Sequence, residues 1–377
     1  MADLTPEQVQ TLRLRAQCLH SKAPCEEASE IVRTVCGVNA QLRPAMMLAL
    51  RARIRDISSE DVAKLTDVQG TLVRTWAMRG TIHLLPRDDP GWMLPLIGPP
   101  AMAKTLGRRR KLGLDDKKLT KGMSKIRTTL KDKRMALTRE ELIDQLIDLG
   151  IEIERKSQAP YHLIAYAGLK GTIFLGPDRS SGEQTYRLAT GERKRLPREE
   201  ALAELAGRYL MGYGPASPAD FRSWSGLPST DAKNAWELLR KSGSLIDIAV
   251  ENRPLEALEM QLRSKAKGTL IDTVVNLLPA FDTLILGYSD RSYIVPKKYY
   301  SEVYHGGQTV PVVLVNGIVA GVWRYKRQGK RIGIFVRPFQ PPFEDKIKDL
   351  IEAEAEDIGR LFGLSPSVEY LDRGWSG

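Results

Sequence analysis

Three times along the chain a short apolar-periodic run opens behind the same polar signal. Ser58 to Asp61, Thr138 to Glu141 and Ser217 to Asp220 each set a hydroxyl residue three positions before an acid. In that arrangement the hydroxyl accepts from a free N–H of the first helical turn while the acid reaches back to the cap N–H, so each pair marks a helix start. The starts lie 80 and 79 residues apart, the spacing of one unit used three times. A second helix is expected from near Thr66, Ser157 and Ser229, running through Val68–Thr75, Pro160–Leu169 and Asp231–Lys241. A strand pair should follow in each unit: Trp76–Met78 with Thr81–Leu85 around Arg79-Gly80, Thr172–Leu175 with Thr185–Leu188, and Ser244–Val250 with Pro254–Leu258 around Glu251-Asn252-Arg253. Helix, turn, helix and hairpin is the order of a winged helix-turn-helix, whose second helix can enter a major groove.

Beyond Asn276 the period shortens to two. Val310–Val315 and Ile318–Arg324 alternate around Asn316-Gly317, a strong hairpin signal. Arg331–Arg337 returns from a basic turn, Lys326 to Lys330, and extended segments are expected near Thr283–Tyr288 and Ser292–Val295. A helix over Pro342–Phe362 and a last strand near Ser367–Leu371 complete the pattern. The fold class is therefore α+β: three tandem winged helix-turn-helix units over residues 1–98, 99–192 and 193–267, then a small C-terminal β-barrel or sandwich over 268–377.

Charge changes the picture most. The 57 Lys and Arg against 46 Asp and Glu leave a net +11, and the excess is concentrated. Between Lys104 and Arg134, a run that includes Arg108, Arg109, Arg110 and Lys111, thirteen basic residues face three acids. A second cluster, Arg324, Lys326, Arg327, Lys330, Arg331 and Arg337, holds no acid between its ends. Such patches neutralise phosphates and release counterions, which makes double-stranded DNA the expected partner, although a charge run also serves as a plain solvated surface. Winged helices also act as protein spacers, so a scaffold remains an alternative.

Composition excludes several classes. With 42% apolar and 27% charged residues the chain is an ordinary globular one, and no apolar stretch approaches the ~20 residues of a membrane span. The N-terminal residues do not read as a signal peptide, and a cytoplasmic, nucleoid-associated monomer is expected. Cys18, Cys25 and Cys36 form no C-x-x-C pair, and His20, His83, His162 and His305 are scattered, so neither a disulfide framework nor a metal is expected. No phosphate-binding glycine loop is present, so no nucleotide cofactor is expected either.

Several stretches resemble one family: Gly37-Val38-Asn39-Ala40-Gln41; Leu72 to His83; Tyr213 to Phe221 with Trp224-Ser225-Gly226-Leu227; and Leu278-Pro279-Ala280-Phe281-Asp282 with Gly287-Tyr288-Ser289-Asp290-Arg291. In this order, over nearly the whole chain, they resemble the winged-helix family whose characterised members are AlkZ-type DNA glycosylases that unhook interstrand crosslinks. The resemblance implies a C-shaped molecule of three winged helices and a C-terminal barrel. It also implies that a Gln-apolar-Gln or Gln-apolar-Asp triplet holds the water of base excision. Here the triplet is Asn39-Ala40-Gln41; Gln41 fits, and Asn39 is one methylene shorter than the usual Gln. A duplex-probing hairpin is implied at a basic-tipped turn of the C-terminal half.

From the residues alone, Gly37 suits a helix C-cap and Pro44 the first turn of the next helix, which puts Asn39 to Gln41 in a short connection. An amide orients water but is a poor general base, so it lacks the ~10²–10⁴-fold gain of a tuned base. Such a site suits purines alkylated at N7 or N3, whose cationic bases leave as neutral molecules. The expected activity is a monofunctional, cofactor-free DNA glycosylase for such lesions, extending to bulky adducts or crosslinks. The alternative is a non-catalytic winged-helix DNA-binding protein, which the change at Asn39 favours. His83, on the second strand of the first hairpin, is a further catalytic candidate or a packing residue. Asp290 and Arg291 read as an ion pair, and Trp76, Trp224 and Trp323 as core anchors.

Overall fold

The computed structural model describes residues 2–133, 136–191, 194–251, 253–263 and 272–372. Arg134 of the basic run, Asn252 at the third hairpin turn and residues 264–267 of the third unit lie outside them. Among the described residues sixteen strands occur in chain order. They are β1 (Ala2–Asp3), β2 (Val38–Asn39), β3 (Leu72–Trp76), β4 (Ile82–Pro86), β5 (Leu137–Thr138), β6 (Ile173–Leu175), β7 (Thr185–Leu188) and β8 (Leu245–Val250). The remainder are β9 (Arg253–Leu258), β10 (Val275–Leu278), β11 (Tyr304–His305), β12 (Gln308–Thr309), β13 (Val312–Val315), β14 (Ile318–Gln328), β15 (Arg331–Pro338) and β16 (Ser365–Tyr370).

All three polar signals cap helices as their spacing predicts. Ser58, Thr138 and Ser217 each accept from the backbone N–H three residues on, and Asp61, Glu141 and Asp220 return the bond. Thr5 and Gln8 form a fourth such cap, ahead of the helix Pro6–Ala16. The second and third units then run as expected, with helices Ala159–Leu169 and Ser229–Lys241 ahead of hairpins β6–β7 and β8–β9.

The first unit differs. No separate second helix follows its capped one: Ser59–Ala63 runs straight on into a π-helical turn, Lys64–Val68, and the expected helix over Val68–Thr75 is replaced by strand β3, with the hairpin turn at Met78–Gly80. Leu72, Val73, Arg74, Thr75 and Trp76 are all buried. A run that is buried on both faces and rich in β-branched and aromatic side chains fits the middle of a sheet better than a helix. β3 pairs with β4 on one side and touches β6 on the other, at Arg74 opposite Leu175. The hairpins of the first two units therefore merge into one six-stranded sheet, ordered β2-β4-β3-β6-β7-β5.

The C-terminal region is a five-stranded sheet, ordered β10-β13-β14-β15-β16. Among the described residues it does not close, which corrects the expected barrel or sandwich. The physical reason is the helix Asp345–Phe362, which turns Ile351, Ala355, Ile358 and Leu361 into the core and makes β16 run parallel to β15. A helix covers the face that a second layer of strands would occupy. Two expected strands are absent: Thr283–Leu286 is a helical turn capped by the Asp282 side chain, and Ser292–Val295 is irregular. The basic turn is also tighter than expected, since β14 and β15 pair up to Gln328 and Arg331 around Gly329-Lys330.

Buried ion pairs lock the two ends of the chain together. Arg53 and Asp282, both fully buried, meet through two 2.9 Å hydrogen bonds. Arg51 donates to Glu354 at 2.6 Å, and Glu354 also accepts from the Leu277 backbone. Leu72 and Leu84 of the central sheet share one core with Leu277, Trp323 and Ile334 of the C-terminal sheet. Trp76 and Trp224 are buried as core anchors too.

Candidate functional site

The triplet is built by backbone geometry. The helix Ala28–Thr34 stops at Cys36 and Gly37, both at positive φ, with the Gly37 N–H closing back on the Val32 carbonyl. A Cβ on Gly37 would lie 2.6 Å from Leu85, so glycine is what lets the chain approach β4 and pair Val38 with Leu84 and Asn39 with His83. Asn39 is thus the end of a strand rather than part of a free connection. Ala40 is fully buried, whereas Asn39, itself only 7% exposed, and the exposed Gln41 line one cleft. Pro44 follows in the first turn of the helix Arg43–Arg51, as its position predicts. Behind the triplet, buried Arg74 donates to the Ala40 carbonyl at 3.4 Å and pairs with Asp178 at 3.1 Å. The Asn39 Oδ1 accepts from the Gln41 N–H at 3.3 Å, an Asx-type turn that fixes the short amide against its own backbone. Gln41 is exposed.

Asn39 and Gln41 open onto a cleft of about 410 Å³, a volume suited to a nucleobase-sized ligand. Its opposite wall comes from parts of the chain far away in sequence. Arg79, at the tip of the β3–β4 hairpin, and Arg291 face into it, as do Phe281 and the glycine tip Gly306-Gly307 of the β11–β12 hairpin. Arg79 and Phe281 hold φ values of 57° and 61°, uncommon for non-glycine residues and of the kind that clusters at functional sites. Each is tethered. The Arg79 Nη1 donates to the Trp224 carbonyl at 2.8 Å, capping the C-terminal end of the helix Pro218–Ser225, where a cation is favoured. The Phe281 N–H donates to the Thr309 Oγ1 at 2.6 Å, while its neighbour Asp282 is gripped by Arg53. No Asp or Glu lines the cleft among the described residues.

His83 lies behind this surface rather than in it. It is buried, pairs along the sheet with Asn39, and its Nδ1 lies 3.0 Å from the Thr81 carbonyl. Burial, with a smaller push from Arg79, lowers its pKa to about 3, so the imidazole is neutral at physiological pH and its Nδ1 carries the proton donated to Thr81.

The basic candidates lie elsewhere. Arg108, Arg110 and Lys111 are exposed on the helix Leu106–Lys111, but Arg109 turns inward, donating to the Met102 carbonyl at 2.7 Å and lying over the Tyr166 ring. Lys326, Arg327, Lys330 and Arg331 are exposed at the β14–β15 tip, with Arg327 3.7 Å above the Phe362 ring; none of the eight lines the cleft. Lys104, at the head of the first basic run, does line an adjoining groove with Arg222 and Ser223, and Ser223 borders the cleft as well. The expected Asp290–Arg291 ion pair does not form: Asp290 pairs with Arg253 at 2.6 Å, leaving Arg291 to the cleft. The β11–β12 hairpin went unread in the sequence, although Gly306-Gly307 between His305 and Gln308 is a turn signal that would have found it.

Comparison with known proteins supplies the class. The AlkZ-like DNA glycosylase family matches residues 32–361, and the chain belongs to that family. Among its relatives it is similar to the interstrand DNA cross-link repair glycosylase of Streptomyces sahachiroi, 28% identical over 373 residues that span 95% of this chain and 96% of that protein. The solved structure of Streptomyces sahachiroi DNA glycosylase AlkZ matches with a TM-score of 0.80 at 26% identity, covering 98% of this chain and all of the other.

Proposed function

We propose that this protein excises cationic N7- and N3-alkylated purines from duplex DNA, using a water molecule held by Gln41 and Asn39. The observation that carries the reading is the cleft itself: the Asn39 and Gln41 carboxamides together, no carboxylate among the described residues that line it, and a neutral histidine behind. Water oxygen bonds to C1′ as the glycosidic bond breaks, the bond's electron pair discharges the base nitrogen, and a water proton passes to solvent. The amides orient that water and accept from it. His83 acts as a positioning residue that holds Asn39 in register. The name of the Streptomyces sahachiroi relative extends the reading to interstrand crosslinks. The helix-turn-helix and hairpin units are read as winged helices that seat the duplex, and the β11–β12 hairpin as the element that probes it beside the extruded nucleotide, in place of a basic-tipped turn.

Incubation with duplex DNA containing N7-methylguanine, followed by alkaline cleavage at abasic sites, tests this. Gln41→Ala should slow single-turnover excision on the order of 10²-fold, since losing an orienting group costs about that much. Gln41 is exposed, so its loss should change stability by less than about 0.5 kcal/mol. Absence of breaks, or breaks that Gln41→Ala leaves unchanged, overturns the assignment. The bond from Gln41 N–H to Asn39 Oδ1 favours a second reading, a non-catalytic DNA-binding protein whose shortened amide serves its own turn. An Asn39→Gln variant that gains excision over an inactive parent separates that reading from the first.

A further inference from the structure

We propose that Arg79 and Arg291 form a clamp for the DNA phosphate beside the extruded nucleotide. The two residues come from different parts of the chain and line the same cleft as Asn39 and Gln41. Neither guanidinium meets a carboxylate among the described residues, whereas buried Arg51, Arg53 and Arg74 each do. The Arg79 side chain is held by carbonyls of the helix Pro218–Ser225, at 2.8 Å from Trp224 and 3.4 Å from Ser223. Arg291 donates its Nε to the Tyr288 carbonyl and lies 4.4 Å over the Tyr304 ring. Its backbone is fixed from the same helix, because Asp220 accepts from the Ser289 and Asp290 N–H groups at 2.8 and 3.2 Å. One short helix thus sets both cations. Burial pushes the Arg79 pKa down and the nearby Arg291 charge adds to it, while Tyr213 and Tyr209 oppose.

Two uncompensated guanidiniums fit a planar-fork contact to an oxyanion. Within the glycosylase reading, on which this inference rests, the substrate base is cationic and the sugar becomes so. Neither can be what the arginines attract, and the only anions a strand brings to the site are its phosphates. The clamp reads no sequence; it registers the strand so that C1′ meets the amides.

The test is binding to a duplex carrying a tetrahydrofuran abasic analogue, followed by fluorescence anisotropy across a salt series, so that no excision is needed. Arg291→Gln should weaken binding on the order of tenfold, as expected for a lost charge-assisted contact, and reduce the salt slope by about 1. A single methylphosphonate on either side of the analogue, at one of the two positions, should weaken the wild type similarly and have no further effect in Arg291→Gln. Arg79→Lys should retain more binding than Arg79→Gln. An unchanged slope, or a methylphosphonate penalty that persists in full in Arg291→Gln at both positions, overturns the clamp. A wild type that shows these effects yet releases no N7-methylguanine keeps the clamp and overturns the glycosylase reading; normal excision and normal binding by Arg291→Gln do the reverse.

Discussion

His83 offers a measurement that separates amide chemistry from histidine chemistry. The imidazole is 3% exposed, and its pKa is lowered from 6.5 to about 3 by burial first, with the Arg79 charge adding to it and the bond to the Thr81 carbonyl opposing. The folded state therefore excludes the charged form. In the unfolded chain the group takes up a proton below about pH 6.5, so the unfolded state binds more protons through the window from 6.5 down to 3, and stability falls as pH falls through it. At about 1.4 kcal/mol per unit, acidification from pH 7 to 5 should remove about 2 kcal/mol through this residue alone. Urea unfolding of wild type and His83→Gln at both pH values isolates that contribution, because other titrating groups cancel in the difference. The imidazole Cε1–H resonance should stay at its neutral position down to pH 5. Excision should be flat from pH 5.5 to 8, since neither Asn39 nor Gln41 titrates. A difference between the two proteins that does not change with pH would refute the buried neutral state. An inflection in excision near pH 6.5 that disappears in His83→Gln would make the histidine a titrating catalytic group and reject the amide mechanism.

Two further outcomes test the frame around the cleft. Asp282→Asn leaves the fully buried Arg53 guanidinium without its counter-ion, and unfolding should be easier by about 3–5 kcal/mol, whereas the pair Arg53→Met with Asp282→Leu should recover much of that loss; chemical denaturation reads both. Gly168→Ala would set a Cβ 2.1 Å from the Trp76 ring, where the helix Ala159–Leu169 crosses β3, and should destabilise by about 1–3 kcal/mol, relieved when combined with Trp76→Leu.

Local signals were legible in the sequence because they act over three or four residues. The caps at Ser58, Thr138 and Ser217 and the hairpin at Asn316-Gly317 were all readable, since hydroxyl, acid and glycine meet their partners within one turn. Misreadings fell where tertiary burial overrides period. Leu72 to Trp76 reads equally as one helical turn or as a central strand until both neighbouring strands are in view. Asp282 gave no hint that it would cap one helix and hold Arg53, nor did Asp220, read as a cap, show that it would also bind the Ser289 and Asp290 N–H groups across the molecule. The triplet itself was found by resemblance and read as a short connection; that Asn39 would end a strand opposite His83 was not legible. The cationic wall was not legible, because density of charge along the chain points to an exposed helix and an exposed hairpin tip, whereas Arg79 and Arg291 are isolated in sequence and converge only through folding.

The charges of the cleft constrain what chemistry it can favour. A neutral guanine leaves as an anion unless an acid protonates it; among the described residues no carboxyl group lines the cleft, and His83 stays unprotonated. An N7-alkylated guanine leaves neutral and asks for no such acid. On the proposed reading, discrimination against undamaged DNA therefore comes from groups the site does not have, and it survives even where the pocket is wide enough to admit a normal purine. The same arithmetic bears on the arginines. Two guanidiniums near a sugar that is turning cationic would raise the barrier, because charge in a site shielded from water is felt more strongly than in bulk. With a phosphate between them the local charge falls from +2 to +1 and that opposition is eased. On the proposed reading, engagement of the strand and cleavage of the glycosidic bond are then coupled electrostatically: the cleft opposes the developing cation less when a phosphate is seated in it.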